Sequence, residues 1–464
     1  MEESMPERPD LLVLGAGGAG AMAMLWTLAA GRRAAGGPGA APPGDPVLGP
    51  GAMWCLPLGA HRQLALLDRL LRRRYGPGGV PVRADGSPWR LADALDPADP
   101  AWTGPAVETG EEWVDGAARV TVTGTWPTVL RVPAAELLEG LWAYLAAVEA
   151  LDRRAGRPPR VRVDRPAAAD GPGAELVLLD DAPVVVEPLV LDHGDGRGPT
   201  AARTHLIAGV LDVPVGPLAR RRVAPAFDED HDEYRVRQVV IGRGPTGAPA
   251  WLAVQVPEYH VFDPGPAAAP GSPRSAAAVD VLVRRLFVAA AAELLGRPEA
   301  ELDAAVRGGA DRPRLLSATA WRPAHSALTG PVAAVRVGDA AGGGHPLHPL
   351  RAVTGPFRHG LRVRDYWRRQ AAGADPREST AVLEREVAAD TAEWIDASAA
   401  DFAEPPQWHF NAGCFAELAY ARAHREHFAA LAAGRPAPAH PAPLDEAALD
   451  EAALDEAALD GGSR

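Results

Sequence analysis

Six residues near the N-terminus, Gly15-Ala16-Gly17-Gly18-Ala19-Gly20, restrict the fold of this chain more than any other stretch. They follow Leu11-Leu12-Val13-Leu14, an apolar run suited to a buried parallel strand, and precede Ala21 to Ala30, which reads as a helix. The spacing is G-x-G-x-x-G. Gly15 permits the tight turn, Gly17 lets backbone approach a pyrophosphate, and Gly20 lets helix and strand pack closely. The helix that opens behind Gly18 offers N–H groups that favour phosphate. Leu11 to Ala30 is apolar enough to imitate a membrane span, but a glycine turn after a strand-like run fits a buried βαβ unit better, so no membrane span is expected.

A dinucleotide site of this kind uses a second strand ending in an acid that holds the adenosine ribose. Gly31 to Gly51 contains almost no strand-forming residues and several prolines, and its one acid, Asp45, follows no apolar run. The ribose-binding strand therefore reads as missing. Further along, Gln63 to Arg74 and Pro133 to Ala147 have helical periodicity, and Arg119 to Val132 is β-rich. Short strands are expected at Val161 to Val163, Leu176 to Leu179 and Val184 to Leu191, then at Arg235 to Ile241 and Trp251 to Val256. A helix at Ser275 to Leu295, a strand at Val332 to Val337 and helices from Leu361 to Leu431 complete the pattern. Alternating strands and helices around a β-rich middle predict an α/β protein: a Rossmann-like domain, an inserted mostly antiparallel β-sheet substrate domain, and C-terminal helices.

Four patches in this order resemble one family, the class A flavoprotein monooxygenases. They are the glycine turn; Leu130-Arg131-Val132-Pro133-Ala134 leading into a helix; Asp195-Gly196-Arg197-Gly198-Pro199-Thr200-Ala201-Ala202-Arg203, similar to the family's Asp-Gly motif; and Val337-Gly338-Asp339-Ala340-Ala341 with Pro346 after it. The resemblance runs from Leu11 to Asp365. It implies an FAD-binding domain and an FAD- and NAD(P)H-dependent monooxygenase acting on a hydrophobic aromatic or polyketide-like small molecule, in secondary metabolism. The alternative on the same fold is a non-redox cyclase or isomerase with a structural or lost flavin. By resemblance, Gly15, Gly17, Gly18 and Gly20 meet the pyrophosphate, Gly338 and Asp339 hold the ribityl chain, and Asp195 with Gly196 support flavin and nicotinamide. Asp339 also suits a plain helix cap. The family places an FAD-contacting arginine where this chain has Ala134, leaving Arg131 nearby.

The implied boundaries are a βαβ unit over 8–55, a substrate-domain insertion over 56–110, and the FAD domain continued over 111–210. A β-rich substrate domain over 211–328, the FAD domain's end with C-terminal helices over 329–435, and a disordered acidic tail over 436–464 follow. Substrate is expected between Arg221 to Pro257 and Gly338 to Gly360. His345 there is the one candidate catalytic group, either donating to a developing oxyanion or hydrogen-bonding backbone.

Composition removes other classes. No lysine occurs, which excludes Schiff-base and P-loop lysine chemistry. Cys55 and Cys414 stand alone, so neither a disulfide framework nor a zinc site is expected. The net charge of -13 argues against nucleic-acid binding, and the acid-rich start, Met1 to Asp10, is unlike a secretory signal, which points to the cytoplasm. Nothing in the sequence specifies an oligomeric state. Phe227 to Glu233 has metal-ligand types but reads more simply as a solvated turn. Tyr259-His260 and Trp408-His409-Phe410-Asn411 suit either a pocket wall or ordinary packing.

From Leu444 the chain repeats Leu-Asp-Glu-Ala-Ala. Leucines five apart advance about 140° around a helix and make no continuous stripe. Deleting Leu444 to Arg464 is expected to leave the melting temperature within about 5 °C of the full chain's, the scale of a one-kilocalorie change; a larger drop in a thermal melt would show that the tail is docked.

Overall fold

The computed structural model describes residues 8–37, 48–49, 51–94, 111–115, 118–122, 129–163, 174–180, 186–191, 200–215, 220–228, 231–243, 248–256, 276–324, 334–348 and 350–398. Strand β1 (Leu11–Leu14) runs into the glycine turn and helix α1 (Gly18–Ala29). It is the centre of a parallel five-stranded sheet. On one side lie β2 (Ala34–Gly37) and β7 (Val161–Arg162), on the other β8 (Leu176–Asp180) and β18 (Ala334–Val337). The chain thus builds outward on one flank of β1 and then returns to the other, so the crevice beyond the carboxyl ends of β1 and β8 is a topological switch point.

Helix α1 is buried on every side from Gly18 to Leu28, in keeping with its unbroken apolar sequence. Around it pack α2 (Leu58–Tyr75), α3 (Ala134–Arg154) and α7 (Gly360–Ala371). Among the described residues no helix is long and apolar enough to cross a membrane.

The expectation that Gly31 to Gly51 forms no second strand is wrong. Ala34–Gly37 pairs in parallel with β1 despite its Ala-Ala-Gly-Gly sequence. A Cβ on Gly36 would lie 2.8 Å from both Cβ and the carbonyl oxygen of Val13, so close packing against β1 selects small residues and overrides their poor strand propensity. The strand ends at Gly37 without an acid, and Asp45 lies outside the described residues.

A second, seven-stranded sheet stands beside the parallel one. Its order is β16 (Arg314–Thr319), β12 (Arg203–Leu211), β15 (Ala250–Val256), β14 (His231–Gly242), β13 (Arg220–Asp228), β4 (Glu111–Asp115) and β5 (Ala118–Val122). All neighbours are antiparallel except β13 with β4. Smaller ladders join β3 (Met53–Pro57) to β6 (Val129–Pro133), β9 (Val186–Pro188) to β17 (Trp321–Pro323), and β10 (Val190–Leu191) to β11 (Thr200–Ala201).

The middle of the large sheet is buried on both faces, with side chains alternating as strand geometry dictates. Ile207, Leu211, Val240, Leu252 and Val254 pack with Val283, Phe287, Ala291 and Leu294 of α4 (Ala276–Leu295), beside the short α5 (Glu299–Ala305). Leu206, Ala208, Val239, Ile241, Trp251 and Ala253 face the other way, into the core shared with the parallel sheet. Helices α6 (Leu350–Val353), a π-helical segment Thr354–His359, α7 and α8 (Pro376–Ser398) close the fold. Phe287 is wholly buried between α4 and the sheet. Phe287→Ala is expected to cost about 3–5 kcal/mol in urea unfolding, as large-to-small core changes do; a loss under about 1 kcal/mol would mean α4 is not part of the cooperative core.

Candidate functional site

Three backbone segments converge at the switch point: the glycine turn after β1, the end of β8, and the Gly338–Ala340 turn after β18. At their meeting point lies Asp180, the last residue of β8, whose side chain is almost fully enclosed. Its Oδ2 accepts a hydrogen bond of 2.6 Å from the N–H of Gly20 in the first turn of α1. Four glycines of the two motifs lie against this one residue, and Gly20 also lies against Val13. A Cβ on Gly15 would lie 1.0 Å from the Asp180 carbonyl oxygen, on Gly17 2.5 Å from Oδ1, on Gly20 2.8 Å from Oδ2, and on Gly338 2.2 Å from Oδ1. Gly15 (φ 131°) and Gly338 (φ 60°) also hold backbone conformations that side chains disfavour.

The turn is braced from outside. Trp142 of α3 donates its indole N–H to the Ala16 carbonyl at 3.0 Å. Leu138 of α3 and Pro356 of the π-helical segment press on Gly18. On the β18 side, the Gly338 N–H donates to Nδ1 of His359 at 2.9 Å. Thr391 gives its hydroxyl proton to the Val387 carbonyl, so its oxygen accepts from Nε2 of His359 at 3.3 Å. His359 is therefore neutral, with its proton on Nε2. Burial pushes its pKa down to about 4, against the opposing pull of Asp390 and with help from Arg362 and Arg358.

Asp339 follows in the same turn, half-exposed, and pairs with the buried guanidinium of Arg351 at 3.2 Å. Arg351 in turn lines a narrow cleft, with a cavity volume of about 30 Å3, between the large sheet and Pro346–Ala352. Its walls include Trp54, Val239, Ile241, Trp251 and His348. This is the place the sequence predicts for substrate. His345 does not line it. The ring is wholly buried and its Nδ1 accepts the Leu347 N–H at 3.2 Å, while its own backbone N–H donates to Ser398 at 2.9 Å, the backbone-holding geometry of the two weighed for it.

The structure therefore brings Gly15, Gly17, Gly18, Gly20, Gly338 and Asp339 together. Arg131 lies on β6 opposite Cys55, and Ala134 opens α3. Asp195 and Gly196 lie outside the described residues, as do Tyr259, His260 and Trp408 to Asn411. The acidic run spans the β13–β14 connection, where Asp228 faces His231 in register. Sequence reasoning missed Asp180. The available signal was an acid closing the apolar run Leu176 to Leu179, since ligands gather at the carboxyl ends of parallel strands.

Neither a protein-family model nor a curated protein matches this sequence. Solved structures do. p-Nitrophenol 4-monooxygenase PnpA from Pseudomonas putida DLL-E4 superposes with a TM-score of 0.52 at 15% identity, over 97% of this chain and 98% of that one. A variant of 2-methyl-3-hydroxypyridine-5-carboxylic acid oxygenase gives 0.51 at 14% identity, over 92% and 96%. The chain has the fold of these two oxygenases. The amide end of α1, the place on such a fold where a diphosphate would be received, already gives one N–H to the carboxyl of Asp180. On the adenosine side, no acid closes β2 among the described residues.

A pH dependence follows from His359. Unfolded, its imidazole takes a proton below about 6.5; folded, only below about 4. Between these values the unfolded state binds more protons, so stability is complete above the upper value and falls as pH drops toward the lower. The loss should reach about 3 kcal/mol by pH 4. In urea titrations from pH 7 to 4.5, His359→Gln, which can still accept from Gly338, should show a shallower fall than wild type; identical slopes would show that His359 titrates normally.

Proposed function

We propose that the chain is an FAD- and NAD(P)H-dependent monooxygenase acting on a hydrophobic aromatic or polyketide-like small molecule. The observation that carries this reading is the convergence, at the switch point of a monooxygenase fold, of the glycine turn with the Gly338–Asp339 turn, directly beside a cleft walled by Trp54 and Trp251. Bound there, the flavin would supply oxygen activation after reduction by NAD(P)H. The backbone at Gly15, Gly17 and Gly18 would hold the diphosphate at the positive end of α1. Asp339 would accept hydroxyl protons of the ribityl chain, oriented by its pair with Arg351. Asp195 and Gly196 would support flavin and nicotinamide, as the family resemblance implies.

The chain's own contribution to the chemistry is placement. Val239, Ile241 and Trp251 project from a sheet whose other face is fixed by α4, so they form a firm apolar wall that excludes water. Arg351 is the cation of the cleft and would orient an acceptor oxygen of the substrate. A second reading, a non-redox cyclase or isomerase on the same fold, is favoured by Asp180, because a carboxylate stands at the amide that would meet a phosphate.

The two readings separate in one assay. Asp339→Ala is expected to reduce substrate-stimulated NAD(P)H oxidation at least tenfold while retaining a cooperative thermal melt at a lowered midpoint, since the buried Arg351 guanidinium loses this ion pair. Conversion that continues unchanged in this variant, or without NAD(P)H and oxygen, would replace the monooxygenase with the non-redox enzyme.

A further inference from the structure

The motif glycines of a dinucleotide site are ordinarily explained by a ligand that must come close to the backbone. Here the Asp180 side chain lies against Gly17, Gly20 and Gly338, while Gly15 meets the main-chain carbonyl of the same residue and Gly20 also meets Val13. Asp180 fills the space over Gly17 and Gly338, takes the N–H of Gly20, and is almost fully enclosed. The start of α1 carries partial positive charge and unpaired N–H groups, the features that attract a phosphate. A carboxylate satisfies the same requirement with one unit of negative charge and no ligand.

We infer that Asp180 is a built-in anion that competes with the diphosphate of a bound nucleotide for the N-terminus of α1. It keeps the glycine turn and α1 formed when no nucleotide is present. A diphosphate entering the turn must displace this carboxylate or sit beside it against like-charge repulsion, which is weakly screened at a side chain as enclosed as Asp180. Nucleotide binding is therefore weak and exchangeable, and the flavin behaves as a dissociable partner. Naming FAD as that nucleotide rests on the proposed function; the competition itself rests on the turn.

The experiment uses the full chain and its Asp180→Asn form. Asparagine keeps the shape and the acceptor for the Gly20 N–H but removes the charge. Both proteins are titrated with ADP, inorganic pyrophosphate and FAD by calorimetry at fixed ionic strength. The asparagine form should bind ADP and pyrophosphate at least tenfold more tightly than wild type. Asp180→Ala, which loses the acceptor as well, should melt below wild type in phosphate-free buffer and recover on adding pyrophosphate, while wild type stays unmoved.

Equal ADP affinities in wild type and Asp180→Asn overturn the inference and leave Asp180 as a simple helix cap. Wild type that already holds ADP or FAD more tightly than about 1 µM overturns it with no variant needed. Tightening toward ADP and pyrophosphate with no FAD uptake in any form upholds the competition and removes the monooxygenase reading instead.

Discussion

Asp180 and the amide of Gly20 form a contact between two parts of the chain that are 160 residues apart, and the surrounding architecture is organised by how closely they approach. For that hydrogen bond to form, β8 must lie next to β1, α1 must begin within one turn of the strand, and β18 must be followed by a residue that has no side chain. Glycine at positions 15, 17, 20 and 338 meets those conditions. Substituting any of the four would push backbone or the carboxylate aside, and a buried carboxylate deprived of its donors is costly. The requirement reaches outward to His359 and Thr391, which secure Gly338 from behind.

The parts of this arrangement that were visible in the sequence are those in which backbone geometry dictates residue type. A strand followed by G-x-G-x-x-G and a helix has few structural solutions, and Gly338-Asp339 after an apolar run has the same character. Helices α2, α3 and α4 announced themselves through periodicity. Strand β2 did not, because its Ala-Ala-Gly-Gly sequence has poor strand propensity and the close approach of Gly36 to Val13 is visible only in the fold. Asp180 was hidden for a different reason: one acid at the end of an apolar run looks like the start of a loop, and only the sheet order places it against the turn. The role of His359 was equally hidden, since its partners sit 21 residues before it and 32 after.

A similar logic separates His345 from Arg351. The histidine stood out in sequence as a titratable ring in a glycine-rich loop, yet the loop folds so that the ring closes on its own backbone. Arg351, one among many arginines, lies on a helix that begins immediately after that loop, and the fold directs it to both Asp339 and the cleft. Abundant residue types carry little information about individual roles until neighbours are known.

The two-faced burial of the large sheet has a consequence for how this protein can change over time. Along β14 and β15, residues alternate between the layer held by α4 and the layer that walls the cleft. Mutations at Val239, Ile241 or Trp251 reshape the cleft, while the intervening Val240, Leu252 and Val254 keep the sheet anchored to its helix. Stability and the shape of the cleft are thus assigned to alternate positions of the same strands, and a lineage built on this chain can reshape the cleft without first loosening its scaffold.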